Sequence, residues 1–317
     1  MFIRQMEYLV TLAREKHFAR AAEVCCVSQP ALSAGIRHLE KELGVSIVQR
    51  GQRYVGLTPE GERILDWAKQ TLAAWEGLRQ EASSARADLK GPLRLGAIPT
   101  AIPVVPFLTG PYRAAFPDLH QMVTSESSED IIRRLDDFDL DLGLTYLEDQ
   151  RLEGFRICPL YRERYVLLAR SAESVNGCTQ MSWEAAAKLP LCLLTGNMQN
   201  RRIISAAFRR AKVLPNVVIE TDSVFALYSH VLCAEVFTIV PHSMLPLLDM
   251  RHELTAVSLI PELNRAIGLI ALEADPLPPI VAAAWSVTES LDLAALFENL
   301  ISGMYQRSIS HCTKPRS

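Results

Sequence analysis

The chain has 317 residues, 49% hydrophobic and 22% charged. That is more than one compact domain holds, and the composition is neither disordered nor fibrous. Apolar runs such as Ala266–Leu272 fall far short of the roughly 18 residues of a membrane span, and the charged opening MFIRQMEYLVTLAREK excludes a signal peptide. Seven cysteines, with no CxxC spacing and one adjacent pair at Cys25-Cys26, argue against a secreted disulfide framework and a structural zinc site. The expected setting is cytoplasmic, with no membrane contact. The net charge of −3 divides into +3 over residues 1–58, −1 over 59–91 and −5 over the remainder. Such a basic head on an acidic body places any polyanion at the head.

Ile3, Met6, Val10 and Ala13 share one face of a first helix. A second, Phe18–Cys25, has the small pair Ala21-Ala22 for a close crossing. After a turn at Cys26-Val27, Ser28 reads as the N-cap of a third helix with Pro30 in its first turn. Leu32, Ile36, Leu39 and Leu43 form its buried stripe, and Gly44 ends it. Ser46–Arg50 and Tyr54–Leu57 read as a hairpin around Gly51-Gln52-Arg53. Thr58-Pro59-Glu60 then opens a helix expected to reach about Ala87, with an apolar stripe at Leu65, Ala68, Leu72, Trp75, Leu78 and Ala82. A helix of that length with one apolar stripe needs a partner surface, and a symmetric copy supplies it.

From Leu93 the pattern changes to strand–helix alternation. Strands are expected at Leu93–Ile98, Leu119–Thr124, Leu140–Thr145, Tyr165–Ala169, Leu191–Leu194, Val217–Glu220, Thr238–Val240 and Ile267–Leu272. Helices are expected near Val104–Phe116, Glu129–Asp136, Asn200–Ala211, Val224–Cys233 and Pro279–Tyr305. This predicts two half-domains with parallel sheets and a ligand crevice between them. The tail from Gln306 is polar and is expected to lack fixed structure.

FARAAEVCCVSQPALSAGIRHLEKELGVSIVQR, followed by Leu57-Thr58-Pro59-Glu60-Gly61, resembles the DNA-binding head of the LysR-type transcriptional regulators. The resemblance is dense over residues 1–61 and continues more weakly through Leu93–Ala97, Asp139–Thr145, Pro190–Thr195, Val217–Ser223, Pro241 and Ser243. It implies a multi-domain chain. An all-α winged helix-turn-helix head (1–58) and a linker and dimerisation helix (59–90) precede a two-lobed, periplasmic-binding-protein-like α/β effector domain (91–317). Lobe I would hold about 91–162 and 267–305, and lobe II about 163–266. The implied partners are double-stranded DNA with an interrupted inverted repeat, a small-molecule effector, RNA polymerase, and a second copy in a homodimer or homotetramer.

The recognition helix is expected to enter the major groove by its N-terminal end. Ser28 and Pro30 set that end, and its N–H groups face a phosphate. Gln29 is placed to bond adenine, and Ser33 to reach base or phosphate. Arg37, Arg50 and Arg53 are placed on phosphates or the minor groove. In the family an arginine and a longer residue very often follow the serine. Here Ala34-Gly35 stand instead, which moves specificity toward shape readout and the wing.

The resemblance places the effector between the lobes. Its candidate contacts are Thr100, Ser127 and Ser128 on one side and Thr195, Gly196, Asn197 and Arg202 on the other, a set suited to a small anionic metabolite. The competing reading of each hydroxyl is a plain helix N-cap. Ala234 and Val236 replace two usual glycines and are expected to narrow the crevice. No catalytic motif, cofactor fingerprint or metal-ligand spacing is present, so an enzyme is not expected. Two alternatives stand beside the regulator. One is a two-lobed solute-binding protein; the other is a thiol-based redox-sensing regulator, for which Cys178 is the exposed candidate and Cys192 reads as core.

Overall fold

The computed structural model describes residues 2–50, 54–84, 89–148, 150–245 and 254–297. By contact density the chain divides into two compact units, one built mainly on residues 1–91 and the other mainly on the remainder. None of the described helices is long and apolar enough to cross a membrane.

The first unit opens with α1 (Phe2–Glu15), α2 (Phe18–Val24) and α3 (Gln29–Leu43). The buried stripe of α1 is Tyr8, Leu9 and Leu12, with Gln5 above it, while Met6, Val10 and Ala13 pack at its rim. The stripe is therefore rotated from the Ile3–Met6–Val10–Ala13 face read from the sequence. His17 caps α2, its Nδ1 accepting from Arg20 N–H. Ser28 caps α3 by accepting from Ala31 N–H at 3.4 Å, and Gly44 ends it in the left-handed region at φ 71°. Leu32, Ile36 and Leu39 are buried as expected, but Leu43 is 46% exposed. It is the last residue of the helix.

Strands β1 (Val48–Arg50) and β2 (Tyr54–Leu57) pair antiparallel, Val48 opposite Leu57. The Glu40 carboxylate on α3 accepts from Ile47 N–H at 2.9 Å and Val48 N–H at 3.1 Å, fixing the wing to the helix. Thr58 caps α4 (Pro59–Ser84), accepting from Gly61 N–H at 2.9 Å. Leu65 and Ala68 join the core of the head, whereas Trp67, Trp75 and Leu78 are 70%, 42% and 59% exposed. The expected extension of α4 to Ala87 ends outside the described residues.

The second unit contains β3 (Gly91–Ala97), α5 (Pro106–Ala115), β4 (Leu119–Ser125), α6 (Ser128–Asp136), β5 (Leu142–Tyr146), β6 (Phe155–Ala169), β7 (Gln180–Ser182), α7 (Trp183–Ala186), β8 (Leu191–Leu194) and α8 (Gln199–Arg210). These are followed by β9 (Val217–Thr221), α9 (Val224–Cys233), β10 (Thr238–Pro241), β11 (Thr255–Ile260), β12 (Asn264–Leu272) and α10 (Pro279–Glu289). The main sheet runs β4-β3-β5-β12-β6-β11-β7, with β10 also on β6, and β8-β9 form a separate pair. The sheets are mixed rather than wholly parallel. β3–β5, β7–β11 and β8–β9 are parallel, while β12 runs antiparallel to both β5 and β6, and β6 antiparallel to β10 and β11.

Two further expectations are corrected. β6 begins ten residues before the expected Tyr165 and is 15 residues long. The single helix expected over Pro279–Tyr305 breaks after Glu289, and helical backbone resumes at 293–297. There Asp292 accepts from Ala295 N–H at 2.9 Å as a new cap. β7, α7 and β11 were not anticipated. The tail from Gln306 lies outside the described residues.

β6 carries the architecture. Phe155–Arg164 pair with β12 in the first lobe, and Tyr165–Ala169 pair with β10 and β11 in the second. Each lobe closes its own core, around Leu95, Leu142, Leu144 and Leu269 in one and Val166, Cys192, Leu227 and Val240 in the other.

Gly35 has a packing role. A Cβ at that position would lie 2.7 and 2.9 Å from Cδ2 and Cε2 of the buried Tyr8 ring. Gly35→Ala should therefore lower the stability of the head by about 1 kcal/mol, overpacking outweighing the gain in helix propensity. Adding Tyr8→Leu should recover most of that loss. Urea unfolding of the three variants checks it, and a more stable single variant would contradict it.

Candidate DNA-binding face and effector crevice

Gln29, Ser33 and Arg37 recur every fourth residue at the capped end of α3 and share one face. Gln29, Pro30 and Arg37 are exposed and Ser33 is half-buried. Ala34 is exposed beside them, whereas Gly35 turns inward to Tyr8. Only Ala34 of that pair therefore alters what α3 presents. The Arg50 side chain and all of Arg53 lie outside the described residues.

In the crevice, the residues from the two lobes fare differently. Thr100, just after β3, is buried, and its hydroxyl shares a hydrogen bond with Tyr146 Oη at 3.3 Å. Ser128 is buried and accepts from Thr145 Oγ1 at 2.9 Å. Ser127 is the N-cap of α6: its Oγ accepts from Asp130 N–H and donates to Asp130 Oδ2. That bond, with the neighbouring Arg133, lowers the Asp130 pKa. Thr195 donates to Asn197 Oδ1 at 2.7 Å, and Gly196, Asn197 and Arg202 are exposed. The structure thus does not bring Ser127, Thr195, Gly196, Asn197 or Arg202 into the buried cluster that Thr100 joins.

That cluster comes from residues the sequence reading missed. Tyr161, Glu163 and Tyr165 alternate along β6 and are all buried. Tyr146 Oη shares a hydrogen bond with Tyr165 Oη at 3.2 Å, and Asn200 Nδ2 from the first turn of α8 donates to Tyr165 Oη at 3.4 Å. Tyr161 Oη and Ser243 Oγ both donate to Glu163 Oε1, at 3.3 and 3.4 Å. Thr100 and Tyr146 come from the first lobe, and Asn200 and Ser243 from the second. The hydroxyl network therefore spans the crevice. α8 itself begins without a side-chain cap from Met198.

Glu163 is fully buried. Desolvation, opposed by the bonds from Tyr161 and Ser243 and aided a little by the charge of Glu148, leaves its pKa pushed up to about 8. Nearby His242 accepts from Arg164 N–H at 3.2 Å and is pushed down to about 4, by burial and then by the Arg164 charge. Burial also raises the thiols of Cys158 and Cys192.

Of the two residues that replace the usual glycines, Ala234 is exposed at the C-terminal end of α9 and Val236 is buried. Val236 packs in the core of the second lobe, Phe237 is buried, and the Phe237 carbonyl accepts from Cys192 N–H. Glu235 takes the left-handed backbone there, at φ 51°.

Residues 3–62 match the family model of the bacterial regulatory helix-turn-helix protein, lysR family, and residues 86–291 match the LysR substrate binding domain. The chain belongs to the LysR-type transcriptional regulators. Among curated LysR-type relatives, the DNA-binding transcriptional dual regulator OxyR of Escherichia coli K12 is 32% identical over 281 residues, covering 87% of this chain and 91% of its own. The hydrogen peroxide-inducible genes activator of Haemophilus influenzae is 36% identical over 197 residues, 62% of each chain. Among solved structures, a cysteine-to-aspartate variant of full-length OxyR from Pseudomonas aeruginosa superposes with a TM-score of 0.71 at 27% identity, covering 92% of this chain and 98% of that one. Full-length CbnR with its target DNA shares the fold, with a TM-score of 0.61, 20% identity, and coverage of 91% and 99%.

The buried carboxyl makes a pH prediction. The folded chain holds the Glu163 proton to higher pH than the unfolded chain does. Its contribution is complete below about 4.5 and is lost as pH rises through about 8. The His242 contribution runs the other way and is complete above 6.5. From pH 6.5 to 8 the wild type should lose at most about 1.4 kcal/mol per pH unit through this group. Glu163→Gln should flatten that slope in thermal melts, and identical slopes would contradict the assignment.

Proposed function

We propose that this LysR-type regulator binds an interrupted inverted repeat through paired heads and changes its DNA geometry when a small effector occupies the crevice. The observation that carries the reading is the exposed Gln29–Ser33–Arg37 face on a capped recognition helix, flanked by a hairpin tied to it through Glu40. Residues 1–58 act as the head, 59–90 as the connector and 91–317 as the sensor. The exposed Trp67, Trp75 and Leu78 on α4 suit a second copy. The chain acts as a regulator rather than an enzyme, in the cytoplasm with the chromosome, and influences RNA polymerase. An effector shifts the lobe equilibrium by its differential affinity for the two arrangements.

Gln29→Ala should weaken specific binding by about 1–3 kcal/mol while leaving non-specific binding and its salt slope unchanged. Fluorescence anisotropy at fixed salt on a specific and a scrambled duplex measures both. Equal affinity of variant and wild type for the specific duplex would remove Gln29 from the contact face.

The names of the curated relatives favour a second reading, a thiol-based redox sensor. Against it, burial disfavours the thiolates of Cys158 and Cys192. Among the described residues the exposed candidates are Cys26, Cys178 and Cys233. Replacing all three with serine should leave the DNA footprint and its response to hydrogen peroxide unchanged. A peroxide-dependent footprint that the triple variant loses would establish the redox reading.

A further inference from the structure

Among the described residues, Glu163 is the one buried member of the Asp, Glu, Lys and Arg set, and it sits where β6 passes from one lobe to the other. Two atoms of its cluster, Glu163 Oε2 and Asn200 Oδ1, have no hydrogen-bond partner among the described residues. Both are acceptors. A buried acceptor left unpaired is destabilising, so the site is built for a donor that the chain does not itself provide. Tyr146, Tyr161 and Tyr165 supply the rest of the wall. Tyrosine rings beside a carboxylate are the chemistry that accommodates a cationic nitrogen out of water. A carboxylate ligand, by contrast, would meet Glu163 with no buried cation to offset it.

We propose that the crevice binds a small molecule carrying an ammonium or other cationic N–H group, held by Glu163 Oε2 and Asn200 Oδ1. The proposal rests on the crevice being the effector site and names the ligand class. The Glu163 proton goes to solvent as the cation binds, leaving a carboxylate paired with the ligand, so charge in the site balances. The lobes must part to admit the ligand, because every member of the cluster is buried. Other titratable and charged groups face Glu163. The three tyrosines are raised above their usual range by burial, and His242 is neutral above about 4. Glu148 lies beyond it, bonded to Ala266 N–H, and Arg265, opposite on β12, donates to the Asn264 carbonyl.

The test is isothermal titration calorimetry on the full-length protein with ethylammonium, guanidinium and acetate, in two buffers of different ionisation enthalpy. Acetate is the proper competitor because the uncapped start of α8 is the one feature nearby that suits an anion. The cations should bind with release of close to one proton at pH 7. Their affinity should rise about tenfold from pH 6 to pH 7 and level off above the Glu163 pKa near 8. Glu163→Gln, which keeps the shape of the neutral acid, should weaken the cations at least about tenfold and abolish both proton release and pH dependence. Binding of acetate alone, binding of cations without proton release, or no binding in the millimolar range would each overturn the proposal. DNA binding measured on the same samples separates the two levels. A chain that binds a specific operator but ignores the cations loses only the ligand class, whereas one with no specific DNA binding loses the regulator reading.

Discussion

Both lobes of the sensor are strung on β6. Ten of its residues, Phe155–Arg164, belong to the sheet of one lobe and the last five, Tyr165–Ala169, to that of the other. A strand that shares its ladder between two bodies cannot let one rotate without twisting at the crossover, between Arg164 and Tyr165. The side chains at that point are therefore the ones that sense the angle between the lobes. Here they are Tyr161, Glu163 and Tyr165, tied to Tyr146 and Thr100 on one side and to Asn200 and Ser243 on the other. Hydrogen bonds across a boundary in low dielectric are strong when complete and destabilising when incomplete. The crevice thus has a built-in dependence on how its polar atoms are satisfied.

The head obeys a different constraint, the close approach of α3 to α1. Gly35 allows the buried Tyr8 ring to lie against the α3 backbone, and Glu40 one turn on fixes the wing through two backbone N–H groups. α3 is consequently held along its inner face, leaving Gln29, Ser33 and Arg37 free to meet DNA on the outer one. Ala34 puts a short side chain on that exposed face.

Much of this was legible in the sequence, and the exceptions have physical reasons. Ser28, Pro30 and Gly44 define α3 because caps, a first-turn proline and a left-handed terminator are local chemistry. The buried face of α1 differs from the sequence reading because Tyr8 and Gln5, both amphipathic, turn inward to meet Gly35, while Met6, Val10 and Ala13 sit at the rim. The first ten residues of β6 were missed because Arg156, Pro159 and the run Arg162-Glu163-Arg164 look like a solvated loop. The signal was there in period two: Tyr161, Glu163 and Tyr165 alternate, and a carboxylate between two inward tyrosines on a strand must itself be inward. Ser127 and Thr195, hydroxyls for which the sequence leaves both a ligand contact and a plain cap open, bond the backbone and a near neighbour here.

The central claim is that this chain reads a defined DNA sequence, and it is tested most directly by incubating the purified full-length protein with sheared genomic DNA of its source organism and sequencing what is retained. The account predicts a few sharp peaks over an interrupted inverted repeat, with symmetric half-sites one or more helical turns apart. Uniform retention that follows salt alone, with no repeat beneath the peaks, would contradict it.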